Sequence, residues 1–174
     1  MTSQTSTRAS TSEVRDCFPT GDKTRWLEPD QQVAWRSYIV GTTRLLERLD
    51  RELREEHGLS LPEYEVLVRL SEADDHSLRM AELASSLSHS RSRTTHTIAR
   101  MESAGLVKRF TCDFDGRGRW ATLSDKGHTV LKEAAHTHVR GVREHLVDLL
   151  SADEFATVGE AFDIVGSQLG DQRD

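Results

Sequence analysis

The chain has 174 residues, 36% hydrophobic and 30% charged, with a formal net charge of −6. That length allows one domain with a core or a small domain with arms, and the low apolar share suits a mostly helical protein that completes its core by pairing with a second copy. No apolar run approaches the roughly 20 residues of a membrane span, and two cysteines, Cys17 and Cys112, make no disulfide framework; a soluble cytoplasmic protein is expected.

Residues 1–24 begin with a Ser/Thr-rich tract without apolar periodicity, which predicts a disordered arm. Residues 25–174 are expected to form a single domain, with 25–60 and 124–170 as dimerisation helices around a 61–123 winged unit. The first helix starts near Glu28-Pro29-Asp30, proline being tolerated in a first turn, and stops near His57-Gly58. Trp35, Ile39, Leu46, Leu49 and Leu53 give it one apolar stripe. At 1.5 Å per residue it would be about 40 Å long, more than a small globule covers alone.

Leu61-Pro62-Glu63 opens a second helix through Tyr64, Val66, Leu67 and Leu70, and Ala73 to His76 is a polar break. Leu78 to Met80 reads as a short edge strand, followed by a helix from Ala81 to Leu87. Ser90 caps the next helix, its hydroxyl satisfying an orphan amide of the first turn. Past Gly105 come strand-like Leu106–Phe110, a turn holding Asp115-Gly116-Arg117-Gly118-Arg119, and a second strand Trp120–Leu123. Ser124-Asp125-Lys126-Gly127 leads into another long helix with Leu131, Ala135, Val139, Val142, Leu146 and Leu149 in its stripe. Ser151 and Glu154 form a capping-box pattern before a last helix carrying Phe155, Val158, Phe162, Val165 and Leu169.

Helix, turn, helix and a basic two-stranded ribbon is the layout of a winged helix-turn-helix. The expected class is therefore mainly α, about six helices with a small two- or three-stranded antiparallel wing sheet, dimerised through its N- and C-terminal helices. Charge is distributed accordingly: from Arg79 to Lys126 nine basic residues stand against five acidic ones, a local +4 that leaves −10 for the rest. A positive face on an acidic body fits local contact with phosphates of double-stranded DNA.

Helical spacing turns Thr94, Ile98 and Met101 inward and points Ser92, His96, Ala99 and Ser103 outward, with Arg93, Thr95 and Arg100 on the flanks, and residues 88–100 contain no acid. The first turns of such a helix meet base edges, which makes Ser92, Arg93, Thr95 and His96 base-edge candidates, Arg93 foremost as a guanine reader. Ser90 and Arg91 at the helix start, and Arg100 further along, complete the expected set, the two arginines for phosphates. In the wing, Arg117 and Arg119 would reach a neighbouring minor groove, and Asp115 would orient Arg117. A solvated helix would normally mix in Glu–Lys pairs, which this one lacks.

These residues resemble the MarR family of bacterial transcriptional regulators, over Leu61 to about Glu133. The likeness rests on Met80-Ala81-Glu82-Leu83-Ala84, Ser90-Arg91-Ser92, Met101 to Arg109, Asp115-Gly116-Arg117 and Leu123-Ser124-Asp125-Lys126-Gly127. Arg25-Trp26-Leu27 and Ala34-Trp35-Arg36 look like an actinobacterial-type subgroup. The resemblance implies a homodimer with intertwined terminal helices on a pseudo-palindromic operator, and repression relieved by a small molecule, often phenolic or anionic, lodged between the dimer platform and the winged unit. Trp26, Trp35, Tyr38 and Tyr64 are the aromatic candidates for that pocket, against the commoner role of such residues in a core.

Other chemistry is weaker in the sequence. Eight histidines raise a metal-sensing alternative, but no His-x-x-x-His occurs, and His136 and His138 face different directions. Redox sensing would fall to Cys17 or Cys112, the latter beside Asp113, which disfavours its thiolate. Neither a phosphate loop nor a nucleophile elbow nor HExxH is present, so no enzyme, metal or required cofactor is expected. A winged-helix protein-interaction adaptor is the remaining alternative, separable from a DNA binder by salt dependence.

Overall fold

The computed structural model describes residues 24–87, 90–111 and 118–170. The expected disordered arm, both cysteines, Asp115, Gly116 and Arg117 lie outside the described residues, except for Thr24 at the arm's end. Two compact units divide the chain, Met1–Tyr38 and Ile39–Asp174, and the first helix crosses the division.

Among the described residues there are six α-helices and three strands: α1 Pro29–His57, α2 Leu61–Glu72, β1 Ser77–Arg79, α3 Met80–Ser86, α4 Arg91–Ser103, β2 Val107–Thr111, β3 Arg119–Leu123, α5 Asp125–His145 and α6 Ala152–Gly170. The expected mainly α class with a small antiparallel sheet holds. Both ends of α1 fall where the sequence places them. Its start is capped as the Glu28 amide donates to Gln31 (3.0 Å). Its stop is Gly58, at φ +64, a backbone conformation that disfavours a side chain; the Gly58 and Leu59 amides donate back to Arg54 and Leu53.

In the first unit, Trp26, Leu27, Val33 and Trp35 are exposed, and the rings of Trp35 and Tyr38 lie 5.7 Å apart. In the second unit the core is built from Leu49 and Leu53 of α1, Tyr64, Val66, Leu67 and Leu70 of α2, Leu83, Ile98, Met101, Val107, Ala121, Leu131 and Ala134. The sheet runs β1-β3-β2, both pairs antiparallel. Opposed residues share a face, so the registers Arg79↔Trp120 and Phe110↔Trp120 lay Arg79, Trp120 and Phe110 in one row across all three strands.

Two apolar stripes differ from expectation. Leu46, Val139 and Leu149 are exposed, while the α5 residues turned inward are Leu131, Ala134, Thr137 and Gly141. Small residues let α1 approach closely: a Cβ on Gly141 would come within 2.6 Å of Glu52 and 2.8 Å of Leu49. Polar groups stitch the same seam, Thr137 donating to Glu56 (2.7 Å) and His145 meeting Glu52 (2.8 Å). Since the Thr137 hydrogen goes to Glu56, His57 Nε2 is the donor in its 2.8 Å bond to Thr137. α5 also ends earlier than its stripe, because Leu146 leaves helical geometry (φ −141, ψ −66) before a single 3₁₀ turn over Val147–Leu149. Ser151 and Glu154 do form the expected capping box, and every described side chain of α6 is exposed.

Candidate nucleic-acid interface

Helix α4 is held from one side and open on the other. Thr94, Thr97, Ile98 and Met101 are buried, whereas Arg91, Ser92, Arg93, Thr95, His96 and Arg100 are exposed. Ser90 Oγ accepts from the Arg93 amide (3.2 Å), the expected cap. Thr95 donates its hydroxyl hydrogen to the Arg91 carbonyl (2.8 Å), so toward a base it can offer only lone pairs and a methyl group.

Two ionic ties set the pose of α4. Arg100 Nε donates to Glu63 at 2.7 Å, with the arginine side chain 64% exposed and the glutamate 10%. The same carboxylate accepts from the Ser60 amide (2.9 Å) and hydroxyl at the start of α2. Burial alone would push the Glu63 carboxyl up; the hydrogen bonds from Ser60 and Arg100 outweigh it and hold the group below the ordinary glutamate range. Arg100, expected among the phosphate contacts, is thus first a link between α2 and α4. The second tie joins α4 to β2: Arg109 donates to Glu102 from Nε (2.8 Å) and from its amide (3.1 Å), which keeps the Glu102 carboxyl below its usual range. Helix α4 and strand β2 are thereby fixed to each other.

Between them lies an open cleft of about 470 Å³ lined by Arg79, Met80, Ala81, Arg91, Thr95, Gly118 and Arg119. It brings Arg91, Thr95 and Arg119 of the expected set together, three guanidinium groups among the described residues that line it. Arg79 was not among the expected contacts. Its signal was a basic residue ending an edge strand beside a tryptophan-bearing one, and only strand pairing makes it legible. Its guanidinium carbon lies 5.4 Å from the Trp120 ring centroid, and Trp120 stacks on Phe110 at 6.3 Å.

The aromatic pocket candidates separate in character. Tyr64 is buried, its ring 4.5 Å from that of His138, and burial lowers the His138 pKa and raises that of Tyr64. Trp26, Trp35 and Tyr38 are exposed in the first unit. Among the described residues, no group of three His, Cys, Asp or Glu side chains is placed to hold a metal ion, and no helix is long and apolar enough to cross a membrane.

Residues 59–118 match the model of the MarR family. The chain is similar to Sco3205, a MarR family transcriptional regulator from Streptomyces coelicolor solved in complex with DNA, at 40% identity, covering 83% of this chain and 94% of that one, with a TM-score of 0.80. It is also similar to AbsC, a MarR family transcriptional regulator from the same organism, at 37% identity over 86% of this chain and all of the other, TM-score 0.81. The transcriptional repressor MprA of Escherichia coli K12 is 30% identical over 91 residues, 52% of this chain; the match spans only 51% of MprA's length.

Proposed function

The chain belongs to the MarR family of transcriptional regulators, and from that premise we propose that it binds a pseudo-palindromic DNA operator as a homodimer and represses transcription until a small molecule releases it. The observation that carries the DNA reading is the acid-free outer face of α4, fixed at a set angle to a basic ribbon by Arg100–Glu63 and Arg109–Glu102. Ser92, Arg93, Thr95 and His96 would read base edges in the major groove, with Arg93 on guanine; Ser90, Arg91 and Arg100 would serve the backbone. Arg117 and Arg119 would carry the wing's minor-groove contact, with Asp115 orienting Arg117.

Pairing of two copies is supported by α6, an amphipathic helix whose Phe155, Val158, Phe162, Val165 and Leu169 are exposed. Repression is supported by the likeness to MprA, named as a repressor. For the effector, the exposed aromatic group of Trp26, Trp35 and Tyr38 offers contacts to a planar, phenolic or anionic molecule; Tyr64 belongs to the core. Such a molecule must prefer the DNA-incompetent state, or it shifts nothing. A cytoplasmic location goes with this function.

Selection of binding sites from random duplexes, followed by titration of the selected operator at several salt concentrations, tests the reading. Affinity should fall steeply with salt, and Arg93→Ala should relax base choice at one operator position, a loss of about 1–3 kcal/mol. Salt-insensitive binding, or unchanged base choice in Arg93→Ala, would overturn it.

A further inference from the structure

We infer that Glu63 is the positioning residue for a DNA-backbone contact by Arg100, whose guanidinium bridges the buried carboxylate through Nε and a phosphate through its two Nη groups. The inference rests on the DNA-binding reading above and deepens it: Arg100 is given one geometry, and a buried residue of α2 is given a part in binding. The Glu63 carboxylate divides its two oxygens. Oε2 accepts from the Ser60 amide (2.9 Å) and hydroxyl, and Oε1 accepts from Arg100 Nε (2.7 Å). Ser60 is buried, and Asp50 of α1 accepts from the Leu61 amide (2.8 Å), so the carboxylate stands on a fixed corner between α1 and α2. The Glu63 side chain is 10% exposed and that of Arg100 64%, so one end of the pair is anchored and the other is open to solvent.

The chemistry of the group suits a bridge. A guanidinium carries five N–H groups in one plane; a bond at Nε uses one of them, and the edge between the two Nη atoms is shaped for two phosphate oxygens. Helical geometry gives that edge its place. Arg93, His96 and Arg100 stand at i, i+3 and i+7, one stripe of α4, and all three are exposed. From Arg93 to Arg100 the helix rises about 10 Å, and a major groove is about 8.5 Å deep. A stripe whose first turn reaches base edges therefore comes level with the sugar-phosphate wall two turns later. An exposed arginine loses rotamer freedom on gripping a phosphate, and one already held at Nε has lost part of it beforehand. The same carboxylate also sets a negative charge near the phosphate, which opposes binding. The two effects have opposite signs, so one substitution distinguishes them.

The test uses the full chain and its selected operator, in duplexes where single phosphates are replaced in turn by neutral methylphosphonates. Wild type should lose affinity at one linkage per half-site that Arg100→Gln no longer senses. Arg100→Gln should also weaken binding about tenfold per protomer and flatten the slope of log affinity against log salt by about 0.9 per protomer. Base preference should hold, because α4 stays seated by its buried Thr94, Ile98 and Met101 and by Glu102–Arg109. In Glu63→Gln the amide oxygen serves Ser60 and the NH2 meets Arg100 Nε, donor against donor, so the arginine is released with its charge intact. Affinity should fall about threefold per protomer at an unchanged salt slope, with no further fall in the Arg100→Gln background. Should Glu63→Gln melt too low to assay, Arg100→Lys leaves the Ser60 cap in place; its point charge cannot hold both partners and should give the same threefold loss, about half a log unit. Wild-type slope and methylphosphonate sensitivity in Arg100→Gln overturn the phosphate contact. Glu63→Gln binding as tightly as wild type, or tighter, refutes the positioning role, as does an equal loss in both backgrounds. A changed base preference in Arg100→Gln makes the pair a brace for the helix alone and ends the bridge. Failure of the wild type itself to bind duplex with a salt slope would instead defeat the underlying DNA reading.

Discussion

Glu63→Gln separates the charge of the α2–α4 link from its shape. The carboxylate is buried and accepts from the Ser60 amide, the Ser60 hydroxyl and Arg100. Glutamine keeps the volume and one acceptor, so a neutral version of the cap survives. What is lost is the charge assistance of the Ser60 bonds, about 1 kcal/mol, and the Arg100 pair, at most about 1 kcal/mol because that side chain is largely exposed and screened. The expected total near neutral pH is about 2 kcal/mol, or roughly 4–8 °C in melting temperature for a protein of this size. The Glu63 pKa is lowered by folding, so its contribution is complete above the unfolded value, near 4.5, and disappears as pH falls through the lower folded value. Thermal denaturation of both chains, at one protein concentration because pairing shifts apparent stability, should show a constant gap above about pH 5 that closes on acidification. A gap that persists unchanged into acid, or no gap at neutral pH, refutes the charge argument.

Two other substitutions probe the supports of the winged unit. Gly127→Ala places a Cβ 2.1 Å from the Leu106 carbonyl oxygen and 2.9 Å from Leu123, so α5 must move off the sheet; a loss of about 1–3 kcal/mol or more is expected, and a wild-type denaturation midpoint would disprove the close approach. Burial lowers the His138 pKa, and its Nδ1 has no partner among the described residues, so protonation opposes folding: stability is retained above the unfolded histidine value, near 6.5, and falls as pH drops from there toward the lower folded value. His138→Leu should flatten that stretch of a melting-temperature profile, and an unaltered profile would remove His138 from the account.

The helix ends show how far local chemistry reaches. Ser90, Ser124 and Ser151 each act within three residues of themselves, Gly58 ends α1 through bonds to the turn before it, and the burial of Thr94, Ile98 and Met101 follows from the helical period alone. Such features depend on neighbours in the chain, which is why the open face of α4, with its arginines, could be read before any packing was known. The long α5 could not be read the same way. Its large apolar side chains and its small ones define different faces, and periodicity favours the large ones; close approach to α1 selected Thr137 and Gly141.

What the amino-acid order by itself determined was therefore the sequence of elements, the caps at Ser90 and Ser151 and the exposed basic face of α4, since these rest on interactions within a turn or two. Only the tertiary structure decided which partners those faces meet. Arg100 reaches Glu63 across 37 positions, and Arg79 faces Trp120 through strand register. The physical reason is that a guanidinium has the same chemistry wherever it lies, and its role is set by which carboxylate, ring or open cleft the fold brings within reach.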